Sequence, residues 1–376
     1  MSKQWKIWLA HACIGTYRFF RGGISRRRPL DRDSAFQRIV VFSTTALGDF
    51  MFNTPAIRAI RARYPHARIT LVCNPRNNDL VSEWQCVDEV VYWDHRAKSL
   101  PRIIWRLRQS RPQVAVTLHS KAPYDVVAAI LSGCDHVFKN IYEDEPSGME
   151  RWLSGATRTR GEAHLIQSKL DLVAQLGCNT TDREMCVPIR PARTLSSQKT
   201  IIGFQLGASQ PIRCWPAERF VELARSLLQR SPDYAIALIG TAKEREAENR
   251  FLSGLTPHER KRVTSYVGKT TLRELLGVIN CMQVLVTGDT GPLHLAIALK
   301  VRTVSLFATA NPRKTGPYQD EHLHRVVHVA VDTGSLNEGP QCYPMNAIKV
   351  DEVLGNVIES IQAATNGTAE LEAALS

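Results

Sequence analysis

The sequence predicts an α/β chain of two doubly wound, Rossmann-like domains facing a cleft. Three observations carry that expectation. The 376 residues exceed what one ordinary core uses and suit two domains. Short β-branched runs alternate with helical stretches, the pattern of a parallel sheet with crossover helices. The alternation stops at residues 188–199, a stretch poor in large apolar groups that holds Pro188 and Pro191, and then starts afresh.

The first domain, residues 38–187, opens with Arg38–Ser43 (RIVVFS), a buried strand by its β-branched composition. A helix is predicted over Asp49–Tyr64, then strands over Arg68–Cys73 and Glu89–Trp93. A helix over Leu100–Gln109, a strand over Gln113–Leu118 and helices over Tyr124–Leu131 and Glu162–Leu176 follow. The second domain, residues 200–349, begins with the strand Thr200–Leu206 and the helix Pro216–Gln229, with proline in its first turn. The strand Tyr234–Gly240 leads into a charged helix, Lys243–Leu252. Thr271-Leu-Arg-Glu274 fits a capping box that opens a helix through Ile279. Strand Met282–Thr287, helix Gly291–Leu299 and strand Arg302–Phe307 come next. A closing helix, Val350–Ile361, falls within residues 350–364.

Composition narrows the function classes. With 44% hydrophobic residues the chain is globular, and no run of about 18 uncharged apolar residues offers a membrane-spanning helix. The nine cysteines are scattered and none forms a CxxC pair. That argues against a disulfide scaffold and a cysteine-based zinc site, and for a reducing cytosol. The formal charge is +12, but residues 1–38 hold nine basic and two acidic side chains, hence +7 of it. A nucleic-acid-binding face would spread its cations over a domain, so no nucleic-acid partner is expected.

Residues 1–37 form a basic, aromatic leader. Trp5, Ile7, Trp8, Leu9, Ile14, Tyr17, Phe19 and Phe20 mix with Lys3, Lys6, Arg18 and Arg21, ahead of Arg26-Arg27-Arg28. Apolar bulk, interfacial aromatics and cations are what a helix lying on an anionic membrane surface needs. A helix packed on its own domain is the other reading. A secretory signal fits poorly, because His11 and Gly15 interrupt the apolar part.

Three segments carry candidate chemistry. Thr44-Thr45-Ala-Leu-Gly48-Asp49 follows the first strand, where open α/β sheets bind ligands. Asp49 serves there either as a helix cap or as a general base. The segment is not GxGxxG, so a dinucleotide fingerprint is missing from this domain. Gly207-Ala-Ser-Gln-Pro-Ile-Arg213-Cys-Trp-Pro216 joins backbone N–H groups to one cation, which suits a diphosphate or is an ordinary exposed loop. Thr287-Gly-Asp289-Thr290-Gly291-Pro-Leu-His294 opens a helix after a strand, with free N–H groups for an anion. His294 has Ala298 at i+4, so a zinc pair is unsupported. Glu244, in the charged helix after Gly240, bonds a ribose or is simply solvated. The loop Asn311–Tyr318 holds two further cations, Arg313 and Lys314. Walker A, GxSxG and HExxH signals are missing.

Together, Ala46-Leu-Gly-Asp49 with Asn53-Thr-Pro-Ala-Ile-Arg-Ala-Ile60, Arg213-Cys-Trp-Pro216, and Gly288-Asp-Thr-Gly-Pro-Leu-His-Leu-Ala296 with Thr315-Gly-Pro-Tyr318 resemble the heptosyltransferases of glycosyltransferase family 9. The resemblance spans roughly Arg38 to Ile361. It implies a GT-B fold, with ADP-L-glycero-D-manno-heptose as donor substrate and no cofactor or metal. It implies an inverting transfer to a sugar hydroxyl of the lipopolysaccharide inner core. By position, Asp49 matches the general base. Arg213, Glu244, Asp289, Thr290, Gly291 and His294 match the donor side. Thr44, Thr45 and Gly48 are acceptor-side candidates, and the final helix is expected to cross back to the first domain. A lipid-anchored acceptor implies a cytoplasmic protein peripheral to the inner face of the bacterial inner membrane, reached through residues 1–37. The alternatives are a GT-B transferase or epimerase for another nucleotide sugar, and a non-catalytic binding protein on the same scaffold.

Overall fold

The computed structural model describes residues 4–20, 35–143, 145, 148–159, 163–189, 191, 199–330 and 344–375. The Arg26–Arg28 run and most of the expected linker lie outside them. The chain divides into two compact units, residues 1–189 and 190–376.

The first unit holds six strands: β1 (Arg38–Ser43), β2 (Arg68–Cys73), β3 (Glu89–Tyr92), β4 (Val114–His119), β5 (His136–Ile141) and β6 (Gly155–Arg158). All pair in parallel, in the order β3-β2-β1-β4-β5-β6. Its helices are α1 (Gln4–Phe20), α2 (Leu47–Arg63), α3 (Asn78–Val81), α4 (Leu100–Ser110), α5 (Tyr124–Ser132) and α6 (Leu165–Ala174). β1 is buried along Ile39–Ser43, as a strand covered on both faces must be. α2 is buried from Phe50 through Ile57.

The second unit repeats the plan with β7 (Thr200–Gln205), β8 (Tyr234–Ile239), β9 (Val263–Ser265), β10 (Val284–Gly288), β11 (Arg302–Phe307) and β12 (His324–His328). The order is β12-β11-β10-β7-β8-β9, again all parallel. Counted from the first strand of each unit, the two sheets share one strand order. Its helices are α7 (Ala217–Arg230), α8 (Arg245–Ser253), α9 (Pro257–Arg260), α10 (Leu272–Asn280), α11 (Gly291–Ala298), α12 (Pro312–Thr315) and α13 (Val350–Leu375). The capping box predicted at Thr271 is formed with Glu274. Val353, Val357 and Ile361 of α13 are buried in this unit's core, with Leu223 and Leu227 of α7.

The structure departs from the sequence reading in several elements. β5, β6, β9 and β12 are unpredicted strands. β5 carries Lys139 and Asn140, both buried, which break its apolar pattern. β6 and β12 are half-exposed edge strands, and β9 has three residues. α13 runs well past Ile361, to Leu375.

The leader helix α1 packs on its own domain along one face and exposes aromatics on the other. Ala10 and Ile14 are buried among Val126, Val127 and Ile130 of α5. Trp152 donates its indole N–H to His11 Nδ1 at 2.7 Å, and Arg108 of α4 lies over the Tyr17 ring. The opposite face presents Trp5, Trp8, Leu9, Phe19 and Phe20, the last two 77% and 81% exposed. These recur at i, i+3, i+4, i+14 and i+15, one stripe of a 3.6-residue helix. Among the described residues no helix is long and apolar enough to cross a membrane.

Candidate active site

In the first unit the strand order reverses between β1 and β4. Loops leaving these strands run to opposite faces, and a crevice opens at their carboxyl ends. A cavity of about 360 Å³ sits there, lined by Thr45, Ala46, Asp49, Asn74, Arg76, His119, Lys121, Tyr142 and Glu145. α2 begins at Leu47, earlier than the sequence suggested, with Ala46 at the cap and no side-chain cap bond. Asp49 is therefore not the cap. It stands in the first turn, where the helix dipole favours its charge.

Of the other acceptor-side candidates, Thr45 lines the cavity and Thr44 and Gly48 do not. Thr44 is buried, donating its hydroxyl to Ser120 Oγ at 2.8 Å and its N–H to the His119 carbonyl at 2.9 Å. Asn74 Nδ2 donates to the Thr44 carbonyl. Thr44 thus ties the β1 loop to the β4 loop, and Gly48 lies within the first turn of α2.

The structure adds residues that the sequence reading passed over. His119 Nδ1 lies 3.5 Å from Asp49 Oδ1. Its ring stacks on Tyr142, with centroids 4.3 Å apart and planes 19° from parallel. Burial, then Lys169, Lys139 and Lys121, hold the His119 pKa well below the usual histidine range. Tyr142 donates to the Leu118 carbonyl at 3.1 Å and receives a hydrogen bond from Lys169 Nζ at 2.8 Å. Lys169 is fully buried, and burial pushes its pKa down to about 7 against the opposing pull of Asp49. Beside it, Lys139 donates to Asp125 at 2.6 Å, to the Ser120 carbonyl at 2.7 Å and to Glu145 at 3.0 Å. Burial raises the Glu145 pKa, and Asp125 adds to the rise against the pull of Lys139.

One sequence signal was available for Lys169. Ile166, Lys169, Leu170 and Val173 are spaced i, i+3, i+4, i+7, so this lysine sits on the buried face of α6. Tyr142 had no such marker, because it follows an unpredicted strand.

In the second unit the order reverses between β7 and β10, and the predicted donor-side residues gather at that point. Asp289 leaves β10 and is their hub. Its Oδ1 lies 3.6 Å from His294 Nε2, and its Oδ2 lies 3.9 Å from Arg213 Nη1. Thr315 donates to the same Oδ2 at 3.3 Å, so the Asn311–Tyr318 loop contributes a hydroxyl here. Thr290 occupies the cap position of α11 without a side-chain cap bond, and its hydroxyl meets Thr287 Oγ1 at 2.9 Å. Gly291 and Pro292 open that helix, leaving uncapped N–H groups and their dipole. His294 is buried. Arg213 ends a 3₁₀ turn and is about one-third exposed. Trp215 next to it is structural, with its indole N–H on the Ile348 carbonyl.

Glu244 adjoins the same loops. A Cβ on Gly207 would fall 2.2 Å from Glu244 Cγ, so this glycine exists to let the glutamate pass. The Glu244 carboxylate is already engaged in a capping box with Thr241, accepting from its N–H and, at 2.6 Å, from its hydroxyl. Among the described residues no group of three or more His, Cys, Asp or Glu side chains is arranged to hold a metal ion.

The family model "Glycosyltransferase family 9 (heptosyltransferase)" matches residues 121–333. Lipopolysaccharide heptosyltransferase 2 of Salmonella typhimurium is 24% identical over 356 residues, covering 87% of this chain and 98% of that one. The glycosyl transferase family 9 structure from Veillonella parvula matches with TM-score 0.75 and 21% identity, covering 89% and 98% of the two chains. The E. coli ADP-heptose lps heptosyltransferase II structure matches with TM-score 0.71 and 23% identity, covering 87% and 99%.

Proposed function

The chain belongs to glycosyltransferase family 9 and is a glycosyltransferase of GT-B fold, and from that premise we propose that it moves a heptose from ADP-L-glycero-D-manno-heptose to a sugar hydroxyl of the lipopolysaccharide inner core. The observation that carries the chemistry is Asp49, an uncapping carboxylate in the first turn of α2 that lines the cavity. The names of the relatives supply the substrate class.

Asp49 takes the proton of the attacking hydroxyl, and the sugar inverts because attack comes from the face opposite the diphosphate. As the glycosidic bond breaks, negative charge gathers on the leaving nucleotide. Arg213 and the uncapped start of α11 stabilise that charge without a metal ion. Asp289 orients Arg213 and His294 around the donor. One carboxylate suffices, because the diphosphate already leaves well. Arg76 and Lys121 at the cavity suit an acceptor bearing negative charge.

The outer face of α1 is the surface through which the protein meets the anionic inner face of the membrane holding the acceptor. Its aromatics supply the apolar contact, and Lys6 and Arg18 flank them. The protein is accordingly cytoplasmic and peripheral.

The test is turnover of ADP-heptose on truncated core acceptors, with UDP- and GDP-sugars as competing donors. The expected result is transfer from ADP-heptose and its loss in Asp49→Asn with donor affinity kept. Transfer from a UDP-sugar alone overturns the donor assignment, and full activity of Asp49→Asn overturns the base.

A further inference from the structure

We propose that Lys169 is a positioning residue for Asp49: it holds the Tyr142 ring on which His119 stacks, and so fixes the imidazole beside the carboxylate. The proposal rests on the reading of Asp49 as the base.

The argument begins with two lysines at equal depth. Lys139 and Lys169 are both essentially inaccessible to solvent. Lys139 is accounted for by Asp125 and Glu145, the pair of carboxylates that buried ammonium groups require. Lys169 has no such account. Among the described residues no carboxylate lies within ion-pair distance of it. Its Nζ donates to Tyr142 Oη at 2.8 Å and to the Leu165 carbonyl at 3.3 Å, and lies 5.2 Å from the Tyr142 ring centroid. A methionine would fill the same space at no desolvation cost. The charge that favours its protonated form is Asp49. Beyond its own helix carbonyl at Leu165, Lys169 is therefore a costly group whose polar directions are Tyr142 and Asp49.

The chain of contacts is short. Lys169 and the Leu118 carbonyl together fix the Tyr142 hydroxyl. Tyr142 carries His119 on its face, and His119 flanks Asp49. Asp49 of α2 is the charged group that acts on Lys169, while His119 of β4 feels Lys169, Lys139 of β5 and Lys121 of the loop after β4, and Lys139 is itself paired with Asp125 and Glu145. Arg58 of α2 pairs instead with Asp182, Arg158 of β6 with Glu150, and Asp171 of α6 bonds Gln167. A protonated Lys169 acts on Asp49 as a nearby cation, and an opposite charge favours the carboxylate. Lys169 loses its proton only near pH 7. The cation is thus in place throughout the range where a carboxylate titrates.

The test uses the full-length protein, a nucleotide-heptose donor and a core-oligosaccharide acceptor, with kcat, donor KM and the pH profile as readouts. Lys169→Met is expected to lower kcat by about tenfold or more, leave donor KM unchanged and move the acid limb up by about one pH unit. Lys169→Arg is expected to keep the limb in place. A Lys169→Met enzyme with the parent limb and kcat overturns the proposal, as does one that loses only thermal stability. If Lys169→Met does not fold, Tyr142→Phe removes the hydroxyl contact and decides alone, by a fall in kcat at constant donor KM or by no change. Asp49→Asn separates the two layers. Intact transfer in that variant fails the base reading itself, whereas lost transfer with an unmoved limb in Lys169→Met fails this inference only.

Discussion

His119 and Asp49 approach to 3.5 Å, Nδ1 to Oδ1, with the imidazole face resting on Tyr142. The contact is not an ion pair. Burial and the three neighbouring lysines keep the ring uncharged. Asp49 therefore has a polar neighbour that does not neutralise it, which suits the proposed role of Asp49 as a base.

NMR titration of the histidine ring protons checks this. The His119 signal is expected to stay put through the pH range in which an ordinary histidine, near 6.5, moves. A midpoint near 6.5 would show a solvated ring and break the relationship.

His324 gives a stability prediction with a defined pH window. Burial pushes its pKa down to about 4, and Thr303 Oγ1 lies 3.0 Å from its Nδ1. The unfolded chain takes up a proton there near pH 6.5 and the folded chain resists until about 4. Unfolding thus gains a proton between those values, and stability is present above 6.5 and lost as pH falls through 4. The loss is on the order of 2–3 kcal/mol. Urea midpoints across the window should flatten by that amount in His324→Gln.

Lys139→Met strands Asp125 and Glu145 together in the interior. Breaking one side of a buried ion pair costs about 3–5 kcal/mol. Lys169→Met strands no carboxylate at ion-pair distance and should cost clearly less. Parallel urea unfolding of the two variants measures the contrast.

Gly207→Ala drives a methyl group into Glu244, whose carboxylate is held in its capping box. The glutamate must yield, at about 1 kcal/mol for the lost cap. Thr241→Ala removes the same cap without the methyl group. Isothermal titration with donor should show Gly207→Ala weaker than Thr241→Ala, because only the former crowds the loop before Arg213.

The two faces of α1 predict opposite phenotypes. Trp8→Ala with Phe19→Ser should cut binding to anionic vesicles and leave the melting temperature in place, since both side chains are exposed. Ile14→Ala should cost about 2–4 kcal/mol as a buried truncation. Vesicle sedimentation and thermal unfolding read the two effects separately.

The twin parallel sheets and the polar clusters at the ends of β7 and β10 were legible in the sequence, because both rest on local signals. β-branched runs mark buried strands, and glycine, proline and aspartate mark the turns that follow β1, β7 and β10. The polar floor of the first site was not legible. Lys139 and Asn140 broke the apolar pattern of β5, which hid the strand and, with it, the position of Tyr142. His119 stood one residue beyond the predicted end of its strand. Its role depends on Asp49, 70 residues earlier, a relationship set by parallel pairing of β1 with β4 and by no local rule. Glu244 shows the converse: it was singled out in the sequence and adjoins the loop after β7, but its carboxylate also closes a capping box.

A helix that is apolar on two sides cannot be treated as a detachable tail. α1 covers Val126, Val127 and Ile130 of α5 with Ala10 and Ile14, and shields Trp152 through His11. Trimming the first 20 residues to remove the exposed aromatics would bare that second apolar surface. The shortened chain would exchange an exposed aromatic face for a patch of uncovered core, and would aggregate more readily than the intact one.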